Sequence, residues 1–361
     1  VYHDDALGTA TVTLGASTGT VDFLIGRAVS DIGNNITLAG DVNVSFDRTV
    51  EYLIVGGGGG GGAGGERSGG GGGGGGVLTG VTELTSISTT VTVGDGGIAG
   101  TVETSGDGGA YGSSPGELGE DSKFGDALVA YGGGGGASNT WGPGSAATAG
   151  ATGGGGGSGD QVAKASPNSE AQGKAGGVGH NDGDKNKQAG GGGGGAGSAG
   201  TAAVASTGGK GGDGVQSSIT GETTYYGGGG GGGKRTTTGT AGAGGSGGGG
   251  AGGNGADGSA GADGLGGGGG GGGTDSLSSP GLGGAGGSGI VVIRYLGADV
   301  GSSGGEKTSP TDNLAAGYTV HTFTATGTDT FELNSSLAAT FSGNISGSGS
   351  SAFGLDATGG T

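Results

Sequence analysis

The sequence predicts an all-β and irregular protein in which small β modules flank a glycine-rich body of packed polyglycine-II helices, with essentially no α-helix. Three observations carry this expectation. First, 115 of the 361 residues are Gly, against an average usage of about 7%. Second, two apolar, β-branched segments, Val50–Val55 and Ile290–Tyr295, bracket the glycine runs. Third, where the runs are diluted, Gly recurs at every third position, as at Gly252, Gly255, Gly258, Gly261 and Gly264. A period of three is that of an extended polyproline-II-type helix, which rises about 3.1 Å per residue.

The first 49 residues read as an N-terminal β module. Thr9–Leu14, Val21–Ile25, Asn35–Leu38 and Val42–Phe46 are short, rich in β-branched or aromatic residues, and separated by Gly, Asp or Asn. The glycine-rich domain spans 50–296. Its two bracketing strands are expected to be neighbours, since each needs a hydrogen-bonding partner. Thr89–Val93 is a further strand candidate inside it. The runs Gly56–Gly62, Gly69–Gly76, Gly132–Gly136, Gly153–Gly157, Gly190–Gly195, Gly227–Gly233, Gly247–Gly250 and Gly266–Gly273 repeat one element type without a fixed period. Residues 297–311 read as a linker. Residues 312–333 read as a β-hairpin module, from the clean alternation of Tyr318–Leu333 around Gly327. The Ser/Gly-rich stretch 334–361 reads as a connector. The chain starts at Val1 without Met, which fits either processing or an excerpt of a longer polypeptide.

Glycine-rich chains generally behave as coils, because Gly loses more backbone entropy on folding than any other residue. Here the runs are interleaved with Val, Leu, Ile, Tyr and Phe, and strands hold both ends of the body. With only 29% hydrophobic and 4% aromatic residues, the body needs a lattice of lateral N–H···O=C bonds in place of an apolar core. Full glycine runs, bare on all faces, suit the interior of such a bundle. Diluted Gly-x-y segments suit its outside. The 5 prolines exclude the collagen recipe.

Net charge is −18, so nucleic acid and anionic membrane surfaces are poor partners, and no apolar run is long enough for membrane insertion. Without Cys there is no disulfide or thiolate chemistry. Matches to G-x-G-x-x-G arise from composition alone, and Gly233-Lys234 is followed by Arg235, not Ser or Thr. His3, His180 and His321 lie far apart, and His321 reads as a cross-strand partner. Gly208–Val215 fits a calcium nonapeptide once, in isolation from further repeats. No cofactor, no metal and no catalytic residue is expected, and the chain does not read as an enzyme.

Glu51–Gly58 and Gly286–Tyr295 resemble the two ends of the glycine-rich domain of bacteriophage tail-fibre and adhesin proteins, and Tyr111–Phe124 with Ala130–Gly136 resemble its interior. Gly317–Thr324 looks like the lead-in strand that often precedes such a domain, although here it follows it. The resemblance implies a polyglycine-II sandwich with receptor-reading loops at one end. It implies a structural fibre protein at the virion surface or outside the cell, a homo-oligomer (trimer or filament) touching other fibre or virion proteins. A host cell-surface glycan or outer-membrane protein would be the receptor. The alternative is a subunit of a bacterial or archaeal extracellular surface filament. Aromatics in polar inserts beside the runs are the recognition signal, and Trp141, Tyr225 and Tyr226 are the candidate receptor-binding residues.

Overall fold

The structure, a computed structural model, describes residues 7–14, 17–24, 48–103, 112–138, 146–158, 171–236, 239–276, 279–297, 299, 301–308 and 317–333. Among these, the one helical element is a 3₁₀ turn at Lys185–Lys187. Glycine disfavours α-helix by about 1 kcal/mol per residue, and no apolar stripe offsets this.

In chain order the strands are β1 (Leu7–Leu14), β2 (Ser17–Leu24), β3 (Thr49–Val55), β4 (Val77–Glu83), β5 (Ser88–Val93), β6 (Val102–Glu103), β7 (Gly112–Ser113), β8 (Ser122–Phe124) and β9 (Leu128–Ala130). They continue with β10 (Val215–Ser217), β11 (Thr224–Tyr226), β12 (Thr274–Ser276), β13 (Ser279–Pro280), β14 (Ile290–Leu296), β15 (Glu306–Thr308), β16 (Tyr318–Phe323) and β17 (Gly327–Glu332). β1 and β2 form an antiparallel hairpin. This agrees with two of the four expected N-terminal strands; Asn35–Leu38 and Val42–Phe46 lie outside the described residues.

Two sheets, β15-β16-β14-β3-β4 and β17-β5-β8-β9, share one apolar core. Val50, Tyr52 and Ile54 of β3 and Val291, Ile293 and Tyr295 of β14 face Val91, Val93, Phe124 and Phe331 of the second sheet. Side chains alternate along a strand, so Leu53, Val55, Ile290 and Val292 point the other way. There they pack on Ile219 and Tyr226, from the β10–β11 hairpin and the segment joining its strands. The bracketing strands are direct antiparallel partners, with Leu53 opposite Val292.

The expected hairpin at 312–333 is corrected. β16 pairs with β14 in one sheet, and β17 pairs with β5 in the other. Gly327, at φ 103°, opens β17 in a conformation that suits Gly. The expected linker is corrected too. β15 pairs with β16, and Asp299 anchors the stretch before it. The Asp299 carboxylate accepts from Ser302 N and Oγ at 2.9 and 2.8 Å, and from Lys307 Nζ. Burial would raise this carboxyl's pKa, but the hydrogen bonds from Lys307 and Ser302 outweigh it and hold it far below the usual range. Ser302 Oγ also lies 2.8 Å from Nε2 of the fully buried His321. His321 Nδ1 faces Gly304 O at 2.7 Å, and since a carbonyl oxygen only accepts, Nδ1 is the donor.

The glycine segments leave the sandwich as an extended bundle. Along Gly56–Gly64, successive N–H groups donate to three different segments in rotation. Gly56, Gly59 and Gly62 donate to Gly76, Gly73 and Gly70; Gly57 and Gly60 to Glu120 and Glu117; Gly58 and Gly61 to Gly287 and Gly284, all at 2.8–3.0 Å. The carbonyls accept from three more: Gly57 and Gly60 from Gly133 and Gly136, Gly58 and Gly61 from Gly97 and Gly100, Gly59 and Gly62 from Gly269 and Gly272. Each turn of three residues therefore faces six neighbours, which is the polyglycine-II lattice. No glycine from 56 to 62 has positive φ. A Cβ at Gly58, Gly59, Gly60 or Gly61 would collide with a neighbour's carbonyl oxygen. Seven of the eight runs lie buried throughout, as expected; Gly247–Gly250 is the exception, half-buried from Gly247 to Gly249 with a turn at Gly247 and Gly248, whose φ values are 100° and 90°. The Gly-x-y segments lie outside, where Ile98, Leu118, Val178, Val204 and Leu282 are exposed.

Candidate recognition surface

The bundle has two ends. Val55 runs straight into Gly56, so that end abuts the sandwich, and Gly64 marks the other. Neighbouring segments that run oppositely turn back there. Gly64 donates to Gly281 and Gly69 to Gly272 at this distal end. Isolated bridges stitch its turns together: His180 with Ala189, Ala189 with Lys234, Lys234 with Asn254, Arg235 with Thr274, Thr207 with Thr240, and Gly64 with Gly281. The lattice itself is uniform bare backbone. Chemical variety enters where the chain turns, and most turns between runs lie at the distal end.

The distal turns are polar. Lys234 is fully buried, and its Nζ donates to Asn186 O at 2.8 Å and to Arg235 O. Burial, with the adjacent Arg235 charge, lowers the Lys234 pKa. Arg235 donates to Gln188 Oε1 at 2.8 Å, and burial lowers its pKa as well. These cations tie down loop carbonyls that the run ends leave without lattice partners. Glu66 is also buried, and its Oε2 has no hydrogen-bond partner among the described residues. The 181–187 turn is largely exposed, with Lys187 Nζ 3.4 Å from Asp182 and 3.5 Å from Asp184, and it is tied to neighbouring turns by the bonds from Lys234 Nζ to Asn186 O and from Ser206 N to Lys187 O. No group of three or more His, Asp or Glu able to hold a metal occurs among the described residues. Lys234, Arg235 and Glu66 were not candidates on sequence, although charged residues abutting a run end, as in Gly233-Lys234-Arg235, are the signal that marks them.

The sequence candidates separate. Trp141 lies outside the described residues. The segments flanking its insert are placed: Ser138 Oγ donates to Ser113 O at 3.0 Å, and Thr148 N donates to Gly135 O. Ser138 ends the Gly132–Ala137 run on the distal side. Tyr225 and Tyr226 belong to β11 at the sandwich end, whereas Ser138, the last described residue before Trp141, lies at the distal end. Tyr225 is 39% exposed. Tyr226 is 3% exposed and packs against the β3–β14 face, and burial raises its phenol pKa. Of these two candidates only Tyr225 is at the surface, because neighbours on a strand point to opposite faces.

A family model described as a glycine-rich domain matches residues 36–296. The chain belongs to this glycine-rich domain family. The match ends at Leu296, the last residue of β14, so the domain includes the whole lattice and both bracketing strands. The structure extends the glycine-rich domain beyond that limit, since β15, β16 and β17 complete its two sheets. No curated protein and no solved structure matches the chain.

Proposed function

We propose that this glycine-rich domain is a structural, non-catalytic fibre protein of a phage tail fibre or adhesin, at the virion surface or outside the cell. It presents receptor-binding loops on a rigid polyglycine scaffold and works as a homo-oligomer in contact with other fibre or virion proteins. One observation carries the reading: most turns between glycine runs lie at the end away from the sandwich, so a stiff lattice holds several variable loops side by side. A uniform backbone lattice positions loops and leaves discrimination to them. The receptor class is a host cell-surface glycan or an outer-membrane protein, read by aromatic and polar groups of the distal inserts. Trp141 is the proposed anchor there. Tyr225 is a second contact at the other end, and Tyr226 supports the hairpin from within.

The test is Trp141→Ala. Host-cell binding is expected to weaken by about 1–3 kcal/mol, as truncated interface anchors do, with the melting curve unchanged. Loss of assembly with attachment intact would replace this reading with the filament one. That second reading is favoured by an open strand edge on the sandwich.

A further inference from the structure

We infer that β4 is a self-pairing edge, through which two copies of this chain join their five-stranded sheets across a two-fold axis. β4 ends the sheet order β15-β16-β14-β3-β4. The bonds Gly56 N to Gly76 O and Leu84 N to Arg48 O set the parity of the β3–β4 ladder. Even-numbered residues of β4 therefore bond β3, and odd-numbered ones point their N–H and C=O outward. Val77 N, at one end, reaches Gln172 O at 3.4 Å. Thr79, Val81 and Glu83 make no backbone hydrogen bond on that side among the described residues. All three are exposed, Val81 at 63%.

Natural edges are blunted by Lys, Pro, bulges or shortness. β15, at the other edge of this sheet, has three residues. β4 has seven, in unbroken register with β3, and carries neither Lys nor Pro. Gly80 keeps the edge thin, because a side chain there would strike the Tyr52 ring.

The occupant follows from register and charge. In an antiparallel pair, residues that point at each other exchange two hydrogen bonds. Centring two β4 strands on Val81 sets Val81 against Val81 and Thr79 against Glu83 on both sides. All outward groups of those residues are then paired, about six bonds in all. Glu83 meets Thr and never its own copy, so a chain of net charge −18 places no like charges opposite each other at this seam. The two Val81 side chains come together beside a groove of about 270 Å³ lined by Thr79, Ser217, Ile219 and Arg294. The geometry is isologous, as a two-fold contact requires. It does not depend on the fibre reading, which the Trp141 variant tests separately.

The chain has no Cys, so a single introduced thiol reports the axis. Opposed residues of a hydrogen-bonded pair have Cα atoms about 5.5 Å apart, within disulfide range. Val81→Cys, oxidised with diamide, is expected to run as a covalent dimer on non-reducing gels. Leu118→Cys, exposed on the flank of the lattice, is expected to remain single under the same conditions. Thr79→Pro removes one outward N–H and no bond to β3. It is expected to shift the wild-type dimer to monomer in sedimentation velocity while the melting transition persists. A wild-type monomer at 100-fold dilution series concentrations throughout, or cross-linking of Leu118→Cys as efficient as that of Val81→Cys, overturns the inference. If Thr79→Pro unfolds, the cysteine pair still decides.

Discussion

Replacing Gly59 with Ala tests the lattice at its centre. The added Cβ would collide with Gly134 O, the acceptor of the 2.7 Å bond from Gly73 N. The obstruction is backbone on a segment hydrogen-bonded to its own neighbours, so no rotamer relieves it. Making room pushes the 132–137 segment away and strains its bonds Gly133 N to Gly57 O and Gly136 N to Gly60 O, now 2.8 and 2.9 Å. Overpacking costs about 1–3 kcal/mol, and each buried group left unpaired costs about 1–3 kcal/mol more. The sum is on the order of 5 kcal/mol, against a total of about 5–15 kcal/mol for a typical protein. Gly112→Ala is the control. Among the described residues its Cβ would find nothing nearer than Glu103 Cβ at 3.7 Å, and its φ is not in the left-handed region. Stiffening the unfolded chain there stabilises by about 0.4–1 kcal/mol. Urea unfolding followed by near-ultraviolet circular dichroism of the tyrosines measures both. If Gly59→Ala unfolds within about 1 kcal/mol of wild type and with the same slope, the six-neighbour packing is wrong.

Two further outcomes follow from other parts of the molecule. Burial lowers the His321 pKa, so the unfolded chain takes up the proton first as pH falls from the usual value of about 6.5; the stability this ring contributes is full above that value and is lost as pH drops toward the folded one. The wild-type melting temperature should therefore fall between pH 7.5 and 5 more than that of His321→Gln, and equal slopes would show that the ring does not titrate in the fold. One extra Gly within Gly69–Gly76 should lower stability by less than about 1 kcal/mol, because it only lengthens the 64–68 turn. One extra Ala between Ala285 and Gly286 should unfold the protein, because Ala285 then takes the place of Gly284, where a Cβ strikes Ser259 O; equal melting curves for these two insertions would refute the phase argument.

Much of this architecture is legible in the sequence because it depends on periodicity. The threefold recurrence of Gly implies a lattice, and the position of side-chain-bearing residues within it separates inside from outside, as Gly97 and Gly100 beside exposed Ile98 illustrate. The pairing of β3 with β14 follows from two apolar strands that each need a partner. Alternation in Tyr318–Leu333 states that residues are extended and half-buried. It carries no information on which sheet receives them, so a hairpin and a crossing between two sheets read alike. The Tyr225–Tyr226 pair looked like one exposed patch because the polar insert around it hid the strand. Read as a strand of period two, it places one ring in and one ring out. The buried Lys234 had no periodic signature, since its role arises from loose carbonyls that only the folded turns create.

A homopolymeric run cannot define its own register, since sliding it by one residue restores the same lattice. The sandwich supplies what the runs lack. In the sheet, Val55 stands opposite Ile290. In the lattice that follows, Gly58 stands opposite Gly287, Gly61 opposite Gly284 and Gly64 opposite Gly281, with no residue gained or lost at the junction. The same holds for Val55 opposite Val77, continued by Gly56 with Gly76, Gly59 with Gly73 and Gly62 with Gly70. It holds again where Phe124 opposite Val91 passes into Glu120 with Asp95 and Glu117 with Ile98. The apolar sheets, whose side chains tolerate only one register, thus index the glycine segments that grow out of them. The Gly-x-y segments act as a second index, because their side chains fit only one phase of the threefold turn. The body can then dispense with an apolar core and still adopt one arrangement. The distal turns inherit their spacing from that arrangement, which makes their side chains the part of the molecule free to change without disturbing the rest.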